Sequence, residues 1–253
     1  MIVEGEPSYN FRVDRPAATL RHSVTESIRQ AIAVGRIPPG SRMPERDLCE
    51  MTGVSRTLVR EALRQLESEG LVEVIPHKGP VVTVITPQQA VGIYQVREVL
   101  EGLAAELFAT NASAADRVLL RRALDEVRLA YESGDVLTRL AAKKHFYDCL
   151  IKGSGNEALG ASLHLLNARA MVLRGRSLQM PSRWKASLVE LEALLVALDA
   201  RNPVEARACA VTHVREAAKT ALESLIEAET QRSGAQLSPT TSAGLNTTFR
   251  PVS

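Results

Sequence analysis

Residues Glu45 to Gly79 follow an order that few folds accept: a short helical run, a glycine turn, a second helical run opening on Ser55-Arg56-Thr57, and a two-strand wing. Each boundary has a local cause. Gly53 can take the left-handed conformation that ends the first helix, Ser55 offers an N-cap oxygen to the second, and Gly70 suits the position after Glu69. Within the second run Val59, Ala62, Leu63 and Leu66 fall at i, i+3, i+4 and i+7, a stripe that has to be buried. Arg56, Thr57, Arg60 and Arg64 are left along a wet, cationic flank. No carboxylate occupies the first turn after Ser55, the first acid being Glu61, so the positive end of the helix dipole is left for an outside anion. Phosphate meets free N–H groups at such an end. The order predicts a winged helix-turn-helix that sets a helix end in the major groove of double-stranded DNA.

The neighbouring segments fit that unit. The first helix starts at Pro44 and runs through Leu48 to Met51, with Arg46 facing outward beside the recognition helix. Upstream, Leu20, Val24, Ile28 and Ile32 describe a support helix closed by Gly35 and the Pro38-Pro39-Gly40 turn. The runs Leu71 to Ile75 and Val81 to Ile85 are short and β-branched, joined by Pro76-His77-Lys78-Gly79-Pro80. His77 and Lys78 at this tip can reach a groove or a phosphate, with Gly79 permitting close backbone approach. Glu45, Asp47, Glu50 and Glu61 nearly balance the basic residues, and the whole chain carries a formal charge of only +2, so the cationic surface is local. A histone-like or membrane-coating protein is excluded on that ground.

The 253 residues suffice for this module and a second core of ordinary size. Cys49, Cys149 and Cys209 are far apart and form no CxxC pair, which fits a reduced cytoplasm. No apolar stretch is long enough to span a bilayer and the N-terminus lacks a basic signal-peptide start, so a cytoplasmic protein with no membrane partner is expected. Thr86-Pro87 marks a junction. Beyond it the pattern is helical throughout: a segment with Val91, Tyr94 or Gln95, Val99 and Leu103; one capped by Ser113; one from Gly134-Asp135 to Gly153-Ser154-Gly155; one from Asn156 to Arg174; one opened by Pro181-Ser182; and one opened by Asn202-Pro203. The fold class is therefore mainly α, an N-terminal winged helix-turn-helix domain plus a C-terminal all-α six-helix bundle. The expected division is an arm at 1–17, the DNA-binding domain at 18–86, the helical domain at 87–230 and a disordered tail at 231–253. An enzyme is not expected, since no phosphate-cradling glycine loop, nucleophile elbow or His-Glu metal helix occurs.

The text Ile37-Pro38-Pro39-Gly40-Ser41-Arg42-Met43-Pro44-Glu45-Arg46-Asp47-Leu48, then Gly53-Val54-Ser55-Arg56-Thr57-Leu58-Val59-Arg60-Glu61-Ala62-Leu63, then Leu66-Glu67-Ser68-Glu69-Gly70-Leu71 resembles the GntR superfamily of winged-helix regulators. The resemblance implies that Arg46, Arg56 and Arg60 contact bases or phosphates, that Ser55 and Thr57 seat the helix, and that the wing tip at His77, Lys78 and Gly79 enters the minor groove. Leu58 stands where many members have Pro. The helical half, through Arg97-Glu98 with Leu100-Glu101, Phe146-Tyr147 with Leu150, Ser154-Gly155-Asn156 with Leu159, and Ala197 to Asn202 with Ala206 and His213, resembles the ligand-sensing FCD domain of the FadR subfamily, in its six-helix VanR-like branch.

Many such domains hold a divalent metal with one Asp and three His, and the resemblance puts those positions at Lys143, Tyr147, Leu191 and His213. Lys143 is an ammonium in water and Leu191 has no lone pair, so no metal and no other cofactor is expected. His145 and His164 are off-register. Lys143 instead sets a cation where an acidic ligand stood, and with Arg97 and Arg174 it can bind a small anionic effector such as a carboxylate, Tyr147 and His213 adding hydrogen bonds. The competing reading sends Lys143 to solvent and makes Tyr147 a plug, leaving a ligand-independent DNA-binding dimer. With a ligand, the expectation is a homodimeric repressor of operator DNA whose effector biases the spacing of two recognition helices.

Overall fold

The computed structural model describes residues 15–236, and among them the chain folds into nine helices and one two-stranded sheet. The N-terminal unit comprises α1 (Arg15–Ala33), α2 (Glu45–Thr52), α3 (Arg56–Ser68) and the hairpin β1 (Val72–Ile75) and β2 (Gly79–Val82). Six helices follow: α4 (Pro87–Asn111), α5 (Ala114–Ser133), α6 (Val136–Ser154), α7 (Glu157–Leu178), α8 (Pro181–Asp199) and α9 (Pro203–Gln236). The molecule is a winged helix-turn-helix joined to an all-α bundle. No helix among the described residues is long and apolar enough to cross a membrane.

The α3 stripe is buried as its spacing requires, with Val59, Ala62 and Leu66 at 0% exposure. It packs on Val24, Ile28 and Ile32 of α1. Leu20, expected in the same stripe, is 45% exposed. A repeat of four residues advances past a full turn at each step, since a helix turns about 100° per residue, and by the fourth member the side chain has swung off the face. The hairpin is tighter than its sequence suggested, because His77 (φ 63°) and Gly79 (φ 80°) both take left-handed backbone and return the chain so quickly that Gly79 and Pro80 already belong to β2. The other edge of β2 is satisfied by the segment before α2, through Gly40 N–H to Val82 O at 2.9 Å and Met43 N–H to Pro80 O at 2.8 Å.

In the bundle most of the expected starts have side-chain caps, the start of α8 at Pro181 having none. Thr86 and Ser113 form capping boxes with Gln89 and Asp116, and Asp135 and Asn156 accept from the N–H groups of Thr138 and Leu159. Pro44, expected as a first helical residue, is the N-cap of α2, and three further bounds differ from the sequence reading. Helix α7 continues past Arg174 to Leu178; α9 continues past residue 230 to Gln236, through Glu227-Ala228-Glu229-Thr230-Gln231-Arg232, which holds no helix breaker; and α1 already begins at Arg15. The expected arm up to residue 14 and tail from residue 237 lie outside the described residues.

The buried face of α4 is the larger correction. Val91 and Val99, expected inside, are 39% and 57% exposed, while Ala90, Tyr94, Arg97, Glu101, Ala104 and Ala105 face the core. The chain buries a charged pair framed by alanines and turns valines outward. Helix α4 lies closest along α9, where Gly102 lets Val211 approach within 3.0 Å of where a Cβ would sit.

The two units touch through α7. Gly175 lies so close to the carbonyl oxygen of Ala33 that an added Cβ would overlap it, and the Arg169 guanidinium fills the space beside Gly70. Gln179 donates to the carbonyl of Val34 at 3.4 Å, and Thr83, Val84 and Ile85 of the connecting segment line one small cavity with Val172, Leu173 and Leu225.

Candidate nucleic-acid interface and ligand pocket

At the start of α3 the Ser55 hydroxyl accepts from the Leu58 N–H at 3.5 Å, and Arg56, Thr57 and Arg60 are all exposed. The first turn contains no acid. Arg60 reaches across to α2, where its Nε lies 2.8 and 2.9 Å from the two oxygens of Glu45. Arg46 is exposed on α2 beside Asp47 and Glu50, at 3.3 and 3.7 Å. At the wing, His77 and Lys78 are exposed and Gly79 half-buried, and the Arg42 Nε donates to the Lys78 carbonyl at 3.0 Å, tying the tip to the strand before α2. The left-handed backbone at His77, uncommon for a residue with a Cβ, holds the tip side chains clear of the sheet. Arg42 and Glu45 carry this geometry and were not singled out from sequence; neither has a local signal, because both act through partners distant in the chain.

The five residues proposed for an effector are all buried in one polar core. Arg97 donates through Nε to Glu101 Oε1 at 2.7 Å, and Arg174 donates to the same oxygen at 3.1 Å. The Arg97 guanidinium lies over the Tyr94 ring at 4.9 Å and that of Arg174 over the Tyr147 ring at 4.5 Å. Burial pushes the Glu101 carboxyl up, but Arg97 and Arg174 outweigh it and hold the group below its ordinary range. A second cluster adjoins. Arg183 makes a two-pronged pair with Glu190, both bonds 2.8 Å, and the same carboxylate meets His213 Nδ1 at 2.5 Å. Burial, then the positive charges of Lys143 and Arg183, keep the His213 imidazole well below its usual value, so it is neutral and its Nδ1–H donates to Glu190.

Lys143 does not snorkel. It is 2% exposed, and its Nζ donates to the Ser187 hydroxyl at 3.1 Å. Tyr147 lies one turn along α6, and Leu191 on α8 and His213 on α9 are buried as well, but the four metal-type positions supply one imidazole, one amine, one phenol and one hydrocarbon. Among the described residues no group of three or more His, Cys, Asp or Glu is placed to hold a metal ion. The donor set does not fit a divalent cation. His145 stands apart at the surface, against Glu126 at 2.7 Å, and the His164 side chain lies outside the described residues.

This core is rich in unanswered donors. Arg97 Nη1 and Nη2, Arg174 Nε and Arg183 Nε have no hydrogen-bond partner, although each is buried. A cavity of about 70 Å³ adjoins part of this core, lined by Arg97, Glu101, Tyr147 and Arg174 with Ile151 and Leu163 among its walls; Arg183, Lys143 and His213 are not among its lining residues. Three buried guanidinium groups against two carboxylates favour an anionic guest. Glu101, Arg183, Ser187 and Glu190 were missed from the sequence. The Arg97–Glu101 spacing of one helical turn was the available signal, but such pairs sit ordinarily on wet faces.

Comparison with known proteins agrees with both halves of this geometry. Residues 20–82 match the family described as bacterial regulatory proteins, gntR family, and residues 92–216 match the FCD domain. A relative from Agrobacterium vitis, an uncharacterized HTH-type transcriptional regulator of the ttuE-ttuC' intergenic region, is 34% identical over 128 residues, covering 49% of this chain and 75% of its own. A protein of Paenarthrobacter nicotinovorans named "Probable D-xylose utilization operon transcriptional repressor" is 30% identical over 156 residues, 61% of this chain and 68% of its own. The solved structure of Escherichia coli McbR/YncC shares the fold with a TM-score of 0.67 at 24% identity, over 85% of this chain and 98% of that one.

Proposed function

The chain belongs to the GntR family of bacterial regulatory proteins, with an FCD domain as its helical half, and on that premise we propose that it is a homodimeric repressor released or retained by a small anionic metabolite bound without a metal. As a transcriptional regulator it binds DNA through its GntR domain and an effector through its FCD domain. The observation that carries the finer reading is that Arg97 and Arg174, whose guanidinium groups keep buried nitrogens without a hydrogen-bond partner, both line one cavity. Lys143, Tyr147 and His213 complete the binding set. Val91, Val96 and Val99, exposed on α4, support association of two subunits through apolar surface, and the relative named as a repressor supports the sign of regulation. Two recognition helices related by a twofold axis call for a near-palindromic operator with half-sites about 34 Å apart.

On the DNA, Arg46, Arg56 and Arg60 contact bases or phosphates, Ser55 and Thr57 seat the helix end on the backbone, and His77, Lys78 and Gly79 enter the adjoining minor groove. Arg56→Ala should weaken operator binding by about 1 to 3 kcal/mol if the guanidinium makes a bidentate base contact. A gel-shift titration at fixed salt measures this, and unchanged affinity refutes the assignment. For the effector, a thermal-shift panel of organic acids and sugar acids should contain a carboxylate that raises the melting temperature equally with and without chelator. A response that vanishes with chelator contradicts the metal-free site. A panel with no response in either condition favours a domain that only dimerises.

A further inference from the structure

The cavity along the seam of α6 and α7 has two unlike ends. At one, the Arg174 guanidinium lies over the Tyr147 ring at 4.5 Å and is joined through Glu101 to Arg97 of α4. At the other, Gly160 lies against Ile151, whose Cγ2 is 3.2 Å from where a Cβ would sit. The two helices therefore run in opposite directions past the cavity. On α6 the lining passes in one turn from Tyr147 to Ile151, and on α7 it returns from Gly160 through Leu163, Leu166 and Ala170 to Arg174. Those α7 positions recur every three or four residues, the spacing of one helix face.

Charge is confined to one part of this lining. Lys144 and Asp148 are exposed and pair with each other at 2.6 Å. Arg97 and Arg174 share the single carboxylate of Glu101, so one positive charge is left over, and both arginines keep buried nitrogens without a hydrogen-bond partner. From Ala170 to Gly160 the α7 wall offers no side-chain donor or acceptor, and Ile151 faces it with hydrocarbon.

We propose that the effector is a monocarboxylic acid with a short, unsubstituted hydrocarbon chain, its carboxylate at the Arg97–Arg174 end and its chain along Leu163, Leu166 and Ile151. The inference rests on the effector pocket proposed above and names the class of acid it takes. One carboxylate balances the one charge left over. A second would find no cation, since Lys144 is held by Asp148. Hydroxyl groups along the chain would give up water for walls that cannot bond to them, which lowers affinity about tenfold or more apiece. Each methylene that fits gains about fourfold instead. A cavity of about 70 Å³ fills after a few carbons.

The test is calorimetric titration of the full chain with acetate, butyrate, hexanoate and octanoate, alongside gluconate, lactate and the uncharged hexanamide. Affinity should climb by about fourfold per methylene to a maximum and then fall, with gluconate and lactate at least about tenfold weaker than the best alkanoate. Leu163→Ala should move the maximum to a longer acid, because it lengthens the apolar end; a merely structural role for Leu163 would weaken all acids together and leave the maximum in place, which overturns this path for the chain. If that variant does not fold, the series on the parent protein still decides. Gluconate or lactate binding as tightly as hexanoate overturns the hydrocarbon class and leaves the carboxylate pocket standing. Hexanamide binding as tightly as hexanoate, or no binding by any acid, brings down the class and the pocket together.

Discussion

Glu101→Ala should cost about 3 to 5 kcal/mol of stability, because it leaves two buried guanidinium groups with no counter-charge. Arg97 and Glu101 are each 1% exposed and Arg174 is 9% exposed, so water does not replace the missing carboxylate cheaply. One carboxylate oxygen accepts from both arginines, at 2.7 and 3.1 Å, and a single truncation therefore removes two charge-assisted bonds. The midpoint of urea denaturation at constant m measures the loss. A triple replacement of Arg97, Glu101 and Arg174 by apolar residues of similar size should be far milder than the single one, since no buried charge is then left unpaired. The pH dependence has a fixed sign. A carboxyl held below its unfolded value contributes stability above that value and loses it as pH falls through the folded value, so Glu101→Ala should flatten the acid limb of the stability profile below its ordinary pKa of 4.5. A loss under about 1 kcal/mol would mean that the two arginines are compensated by something other than Glu101.

Gly175→Val should separate the two domains. The space a Cβ would need on α7 is taken by the Ala33 carbonyl oxygen, a backbone atom that cannot rotate aside, with Leu140 Cδ1 at 3.7 Å on the other side. Overpacking of this kind costs about 1 to 3 kcal/mol and here falls on the joint between α1 and α7. Because the same α7 carries Arg174 into the polar core and Arg169 to Gly70 of the DNA-binding unit, the substitution should also cut the route by which a filled pocket biases the winged helix. Calorimetry should resolve two transitions where the parent gives one, and a protease should reach the segment at Thr86 sooner. Gly92→Val, at a helical glycine with open space around it, is the control for the intrinsic cost of valine in a helix. A single unshifted transition in Gly175→Val would show that the domain contact contributes nothing to cooperativity.

The winged half was legible because its determinants are local. The Val59-Ala62-Leu63-Leu66 stripe, the Ser55 cap and the left-handed Gly53 and Gly70 each depend on residues within a turn or two, and all four buried positions and all three boundaries stand where the sequence put them. The bundle was legible as six helices for the same reason, through Thr86, Ser113, Asp135 and Asn156. Its interior was not. Hydropathy turned α4 with Val91 and Val99 inward, whereas Arg97 and Glu101 are stable there only because Arg174, from a helix more than seventy residues away, shares the carboxylate. Pairings across such distances leave no periodic trace. The expected end of the fourth bundle helix at Arg174 fell short: Gly175, the next residue, lies against the Ala33 carbonyl of α1, and α7 runs on to Leu178.

Glu45 holds the Arg60 guanidinium by two short bonds and Arg46 keeps Asp47 and Glu50 beside it, so if these arginines contact DNA as proposed, they do so already paired. On docking, the phosphate backbone displaces a tethered carboxylate rather than dissolved ions, and the condensed cations that DNA sheds in return are offset by an acid that stays at the interface. The grip on a promoter should then vary less steeply with cellular osmolarity than the number of arginines on the reading helix would suggest, because part of the counterion atmosphere is built into the polypeptide.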